Sequence, residues 1–314
     1  MHQLARRPFH VVNVCLNLVA GDQLAWQQRK AASFTITPLQ CGSNAEGLGY
    51  RPSEGYAKGH QDPISLGTAI TISGAAASPN MGYHSSPATG FIMTLLNARL
   101  GAWLGNPGKA GARTWTHAGP HSAIASLLRE AFGLTNARSR YVYLSDGGHF
   151  ENLGLYEMIQ RRCRTIVVLD GGCDAKFTYE DLGNALRKIR IDLDTHITFA
   201  DGCIAPLRAM EKRCAVAEIL YPGGERGHLI YVKPMAVGNL PPDVASYAKA
   251  NPAFPHQSTA DQWFDESQTE SYRMLGELTM DEICAGWTGG SAVSELPKHV
   301  MPEYLGMKVE AQHA

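Results

Sequence analysis

The chain has 314 residues, 44% of them hydrophobic and 18% charged, so it can bury the core of one large α/β domain or of two small ones. A net charge of −1 without a long basic run argues against nucleic-acid binding, because phosphate recognition needs clustered Lys and Arg. No run approaches the roughly 20 apolar residues of a membrane-spanning helix, and the first residues lack the apolar region of a signal peptide.

The seven cysteines are scattered and never form CxxC, which argues against a zinc site or a disulfide framework. They favour reduced thiols in a cytoplasmic protein. We therefore expect neither a metal nor a cofactor.

The first half of the chain predicts two neighbouring strands, a long loop and three helices. The strands are at residues 9–19 and 33–39, the Gly/Ser/Asn-rich loop at 41–62, and the helices at 65–77, 87–104 and 120–133. The helix at 87–104 is apolar enough to face an acyl chain or membrane, although packing in the core is the more common role of such a helix.

The second half predicts alternating strands and helices, which indicates α/β architecture. Strands at 141–144 and 165–169 flank a helix at 152–163, and the second strand reads as buried on both faces. After them the sequence predicts a helix at 178–193 with Thr178 as N-cap, a strand at 196–199, a hairpin at 214–221 and 228–233, and a helix at 267–284. We expect one domain, residues 1–314, with a core at about 9–233 and a wrapping extension at about 234–314.

The stretch 141–172 is the main functional clue, because each of its strands ends in Asp-Gly-Gly: Asp146-Gly147-Gly148 and Asp170-Gly171-Gly172. Ligands and catalytic groups in parallel sheets gather at the carboxyl ends of strands. An Asp followed by two glycines can stand beside a reacting group without side chains blocking approach. It can equally accept hydrogen bonds from its own turn. For Asp146 the two interpretations are balanced, whereas the apolar strand before Asp170 favours a structural role.

Other candidates are weaker. His149 is close enough to Asp146 for a His-Asp pair, although an exposed turn residue is the simpler interpretation. His117 and His121, four residues apart, could be metal ligands on one helix face, but Gly119-Pro120 interrupts that helix. Ser73 is the nearest imitation of a serine nucleophile, yet it lacks the preceding glycine of G-x-S-x-G and favours close helix packing.

The segment LSDGGHFENLGLYEMI resembles the aspartate motif of patatin-like phospholipases, and FENLGLYEMIQRRCRTIVVLD resembles more closely the bacterial relatives of the cytosolic phospholipase A family. AITISGAAASPNMG is similar to the small-residue segment that precedes this motif in patatins. Order and spacing agree over at least residues 65–200. The resemblance implies a patatin-like three-layer α/β/α sheet of modified α/β-hydrolase type, a lipid or acyl-ester substrate, and Asp146 as the aspartate of a Ser-Asp dyad, with Gly147 and Gly148 completing the motif.

The chain departs from this family because it contains neither the glycine-rich oxyanion loop nor the G-x-S-x-G nucleophile. We therefore expect the C-terminal part of a patatin-like hydrolase, inactive alone, whose missing N-terminal segment is a candidate partner. Peripheral membrane contact is compatible with the longer form. The alternatives are a non-catalytic lipid-binding or interaction protein and, with less support, a metal-dependent hydrolase using Asp146, His149 and Asp170.

Overall fold

The computed structural model describes residues 8–20, 29–58, 63–76, 100–200, 204, 207, 209, 211–258, 263–288 and 292–306. The chain forms two compact units, Met1–Asn152 and Leu153–Ala314. The boundary falls inside the stretch 141–172, between its first strand and its helix. The prediction of one domain with a wrapping extension stays a prediction.

Unit 1 contains a six-stranded sheet in the order β4-β3-β2-β1-β6-β5, in which every described pairing is antiparallel. Its strands are β1 (Val12–Asn17), β2 (Ala31–Ile36), β3 (Gln40–Ser43), β4 (Gly49–Pro52), β5 (Ala102–Gly105) and β6 (Tyr141–Asp146). The predicted neighbouring pair β1 and β2 is confirmed, with Val12 opposite Ile36 and Asn17 opposite Ala31. Inward apolar side chains of β1, β2 and β6 build the core, among them Leu16, Phe34 and Leu144.

The predicted loop at 41–62 is wrong at residues 41–43 and 49–52, where β3 and β4 form, while residues 59–62 lie outside the described residues. The glycines and serines of β3 and β4 have low strand propensity, but pairing with β2 satisfies their backbone groups and overrides that propensity. Gly42 explains part of the composition, since a Cβ there would lie 2.2 Å from the carbonyl oxygen of Gly49. The close approach of β3 and β4 requires this glycine, and the flexibility of a loop is not the reason for it.

Two helices of unit 1 are described. Helix α1 (Leu66–Ser73) begins at the Ser65 cap and confirms the predicted small-residue helix, while residues 77–99 lie outside the described residues. The predicted helix at 87–104 is wrong at its C-terminal end, because Ala102–Gly105 forms β5 against β6. Helix α2 (Ala123–Ala131) confirms the prediction at 120–133, with Gly133 in the left-handed region after it.

Unit 2 contains a four-stranded sheet in the order β7-β10-β9-β8. Its strands are β7 (Thr165–Leu169), β8 (His196–Phe199), β9 (Cys214–Leu220) and β10 (Arg226–Val232). The β9–β10 hairpin is confirmed, and its turn uses Gly223 and Gly224 at positive φ. β7 pairs parallel to β10 at the sheet edge, and Val167 and Leu169 are exposed. The prediction that this strand is buried on both faces is therefore wrong, since only one face of β7 is covered.

The described α-helices of unit 2 are α3 (Leu155–Gln160), α4 (Glu180–Leu193), α5 (Pro242–Ala250), α6 (Glu266–Ile283) and α7 (Leu296–His299). α6 confirms the predicted helix, whereas α3 is much shorter than predicted because Gly154 and Arg162 adopt positive φ on either side of it. The Thr178 cap on α4 is wrong: the Asp174 carboxylate accepts hydrogen bonds from the amides of Thr178 and Tyr179, and α4 begins after them.

The chain is thus a mixed α/β protein. The two Asp-Gly-Gly turns do not follow neighbouring strands, because β6 belongs to the sheet of unit 1 and β7 to that of unit 2. Strand-helix alternation suggests a parallel sheet, but β6 pairs antiparallel with both of its neighbours.

Candidate functional site

Asp146 ends β6 and caps a single 3-10 turn, Gly147–His149. Its Oδ1 accepts a hydrogen bond from the amide of Gly148 at 2.7 Å, and the turn closes with the amide of Phe150 on the carbonyl of Gly147 at 3.0 Å. β6 pairs with β1 up to Asp146 itself and with β5 up to Leu144, so the strand end is paired on the β1 side. The carboxylate of Asp146 therefore has a fixed position at the sheet end.

The two glycines are needed by the packing of this turn. A Cβ on Gly147 would lie 2.7 Å from the carbonyl oxygen of Asn13 on β1, and a Cβ on Gly148 would lie 2.8 Å from Oδ1 of Asn152 and 3.1 Å from Oδ1 of Asp146. Leaving room for a substrate is thus not the only reason that two glycines follow Asp146. A side chain at Gly147 would meet the backbone of β1, whereas one at Gly148 would meet the ends of two side chains.

The second oxygen of Asp146 is open. Within the part of the chain that the structure describes, Oδ2 has no hydrogen-bond or ion-pair partner, and the side chain is half-buried. One oxygen therefore fixes the carboxylate while the other stays available as a proton acceptor.

His149 does not form the suggested pair with Asp146. Its Nδ1 lies 2.9 Å from the hydroxyl oxygen of Ser145, which also accepts a hydrogen bond from Nδ2 of Asn17 at 2.8 Å. The direction of the Ser145–His149 hydrogen bond follows the tautomer of the imidazole, since a hydroxyl can both accept from Asn17 and either donate to or accept from Nδ1. Ser145 is fully buried, so this network ties β1, β6 and the turn together and does not supply a nucleophile.

Sequence reasoning missed Ser145 and Asn17. Each is a buried polar residue of an otherwise apolar strand, on the face of the sheet opposite to Leu16 and Leu144, and a polar residue in an apolar strand is the signal that could have indicated them. Their contact joins residues 128 positions apart, which no local pattern shows.

Ser73 ends α1 close to the same turn. Its hydroxyl donates to the carbonyl of Asn13 at 2.8 Å, and Asn13 is also the residue against which Gly147 packs. This contact fits close helix packing. The side-chain Oδ1 of Asn13 is buried without a hydrogen-bond partner in the described structure, so an unsatisfied acceptor lies at this point.

Asp170 is a buried ion-pair residue of unit 2. Its Oδ1 lies 3.0 Å from Nζ of Lys233 and accepts the amide of Gly172 at 2.9 Å, and the Tyr231 hydroxyl donates to Oδ2. Asp170 and Lys233 are each only 1% exposed. Burial and the hydrogen bond to Asp170 raise the pKa of Tyr231, which keeps that hydroxyl a donor. These contacts give Asp170 a structural role.

His117 and His121 do not share a helix, because α2 begins only at Ala123. Their rings meet edge to face with centroids 5.4 Å apart, and Nδ1 of His117 lies 3.0 Å from the Tyr141 hydroxyl. Across the described ranges, no group of three or more His, Cys, Asp and Glu side chains is arranged to hold a metal ion.

Comparison of the chain with protein-family models, with curated proteins and with solved structures finds no match. None of the described helices is both long and apolar enough to cross a bilayer. The candidate site therefore rests on its own geometry and on the motif resemblance.

Proposed function

We propose that the chain supplies the aspartate half of the Ser-Asp dyad of a patatin-like acyl-ester hydrolase, with Asp146 as the base. The observation that carries the proposal is the Asp146 carboxylate, with Oδ1 fixed by the Gly148 amide and Oδ2 without a partner in the described structure. The segment LSDGGHFENLGLYEMI, which resembles the patatin aspartate motif, supports the same role.

In this mechanism Oδ2 of Asp146 accepts the proton of a serine hydroxyl as the serine oxygen attacks the ester carbonyl. The proton then passes to the leaving alcohol as the acyl-serine forms. Water, deprotonated by the same carboxylate, attacks the acyl-serine, releases the acid and returns the proton to the serine. The fixed position of Asp146 favours this transfer because the base is already oriented.

The serine and the amides that bind the oxyanion belong, in this proposal, to a segment outside the present sequence. The patatin-like three-layer fold is part of the same proposal, and the mixed α/β composition is compatible with it. A lipid or another acyl ester is the substrate class that the resemblance implies.

The test is esterase activity of the longest gene product that can be reconstructed with upstream G-x-G-x-R-G and G-x-S-x-G elements. Asp146→Asn should lower kcat by about 10²–10⁴, the usual contribution of a general base. The matched control is Asp243→Asn, an exposed aspartate in the first turn of α5. Equal activity of the wild type and Asp146→Asn would remove Asp146 from the mechanism.

The second candidate function is non-catalytic lipid binding or partner assembly. The observation that favours it is a row of exposed apolar side chains on α2. A folded chain that binds acyl lipid without hydrolysing it, equally with and without Asp146→Asn, would support this function over the first.

A further inference from the structure

Helix α2 presents its apolar side chains to solvent. Ile124 is 69% exposed, Leu128 52% and Phe132, at the C-cap, 64%, and the following Leu134 is also exposed. Residues 124, 128 and 132 are spaced four apart, so they form one continuous row along the helix. A row of this kind is the face that a helix usually buries.

Polar contacts hold the helix in this orientation. The buried side chains of α2 are Ser126 and Glu130, and Oε1 of Glu130 accepts a hydrogen bond from Nε1 of Trp103 on β5 at 2.5 Å. Because the polar side packs inward, Ile124 and Leu128 point away from the unit. Their exposure follows from a specific contact of the fold.

The surroundings of this row are basic. Residues 100–145 contain five Lys and Arg and one acidic residue, the buried Glu130, although the whole chain carries a net charge of −1. The basic residues are exposed: Lys109, Arg113, Arg129, Arg138 and Arg140.

Hydrogen bonds join the segments that carry these basic residues. Arg129 of α2 donates to the Ser139 hydroxyl, Asn106 donates to the carbonyls of Ala137 and Ser139 at 2.7 Å, and the Thr114 hydroxyl donates to the carbonyl of Arg140 at 2.7 Å. The loop that carries Arg138 and Arg140 is therefore bonded both to α2 and to residues 106–114. These bonds tie the basic segments to the helix that carries the apolar row.

The exposed aromatic pair of unit 2 has the opposite surroundings. Trp263 and Phe264 are followed directly by Asp265 and Glu266, so an anionic surface would repel that segment. Both regions expose apolar side chains, so exposure alone does not distinguish them. They differ in the sign of the nearby charge.

We propose that α2, with its basic surroundings, docks on the surface of an anionic lipid bilayer. Apolar side chains of an interfacial helix enter the boundary between headgroups and acyl chains, while flanking Lys and Arg attract anionic lipid. The row Ile124, Leu128 and Phe132 supplies the apolar side chains that enter the bilayer. The five basic residues supply the attraction to anionic lipid. This docking rests on the second candidate function, to which it adds the bilayer surface and its charge, and it is independent of the hydrolase function because Asp146 takes no part.

The test is sedimentation of the chain with vesicles of phosphatidylcholine and phosphatidylglycerol, and with vesicles of phosphatidylcholine alone. Binding should require phosphatidylglycerol. Ile124→Gln/Leu128→Gln should weaken it at least about tenfold, because two apolar side chains leave the bilayer. Arg138→Gln and Arg140→Gln should each weaken it about fivefold.

The matched control is Ile191→Gln/Leu220→Gln, which replaces exposed apolar residues of unit 2 and should bind like the wild type. Thermal unfolding by circular dichroism verifies that each variant is folded. Absence of wild-type binding, or equal loss in both double variants, would overturn the proposal. So would a dimer in light scattering that only the α2 variants dissociate, because the row would then join copies of this chain.

Asp146→Asn separates this proposal from the proposed hydrolase function. The variant should bind anionic vesicles like the wild type even if it loses ester hydrolysis in the longer gene product. Loss of vesicle binding in Asp146→Asn would contradict docking through α2 alone.

Discussion

Asp146 and Asp170 share one capping contact but lie in two different environments. Asp146 is the last residue of β6 and Asp170 directly follows β7, each is followed by two glycines, and each accepts a hydrogen bond from the amide two residues later, at 2.7 and 2.9 Å. Asp146 keeps its second oxygen without a partner in the described structure, whereas Asp170 adds Lys233 and Tyr231. The tripeptide provides the same amide contact in both places, and the residues packed around it determine what the carboxylate can do.

The difference is electrostatic. A buried carboxylate paired with a buried ammonium cannot be removed alone without leaving an uncompensated charge in the core, and it is not available as a base. A half-buried carboxylate with one open oxygen contributes little to stability and can accept a proton. The two turns should therefore respond differently to the same substitutions.

The largest expected effect is on stability when Asp170 is truncated. Asp170→Ala leaves Lys233 buried and uncompensated, so the free energy of unfolding should fall by about 3–5 kcal/mol. Asp146→Ala removes one turn hydrogen bond and should cost about 1 kcal/mol. Urea unfolding of both variants measures the difference.

Lys233→Met provides the control. The double variant Asp170→Ala/Lys233→Met should be more stable than Asp170→Ala, because no unpaired charge remains in the core. Equal stability losses in Asp170→Ala and Asp146→Ala would mean that the two turns do not differ in this way.

A smaller difference in stability is expected when the first glycine after each aspartate is replaced by alanine. Gly147→Ala places a Cβ 2.7 Å from a backbone carbonyl of β1 and should destabilise unit 1 by about 1–3 kcal/mol. Gly171→Ala meets nothing within 4 Å and should change stability by less than about 0.5 kcal/mol. A Gly147→Ala variant as stable as Gly171→Ala would show that the close packing against Asn13 is not required.

The smallest effect is a pH dependence near the Asp170 turn. Burial, together with the charge of Lys233, lowers the pKa of His256 from 6.5, although Asp174 and Asp170 act in the opposite direction. The unfolded chain then binds a proton at a higher pH than the folded chain does, so this contribution to stability is present above pH 6.5 and is lost as the pH falls below it.

His256→Gln should therefore flatten the decline in unfolding free energy just below pH 6.5. Urea unfolding at several pH values measures it, and an unchanged slope in His256→Gln would assign the dependence to other groups.

Sequence patterns predicted the elements with strong local signals. The β9–β10 hairpin has a glycine turn between two apolar strands, and α6 has a Ser/Asp-rich start and a long periodic run. β3 and β4 were missed because pairing, and not propensity, forms them. Asp146 at a strand end was predicted from its tripeptide. Its supports Asn17 and Asn13 were not, since both contacts are made across the sheet.

The orientation of α2 is another feature that local sequence patterns could not predict. Periodicity predicted the helix, but the pair Trp103 and Glu130 determines which side faces inward. An amphipathic pattern alone would place Ile124 and Leu128 in the core.

The most direct test compares Asp146→Asn and Asp170→Asn in the reconstructed gene product, measuring esterase activity per folded molecule. We predict that Asp146→Asn stays folded and loses at least about a hundredfold in kcat, whereas Asp170→Asn lowers the folded fraction and leaves the activity of each folded molecule near that of the wild type. Full activity in Asp146→Asn, or loss of activity per folded molecule only in Asp170→Asn, would contradict the assignment of the two aspartates.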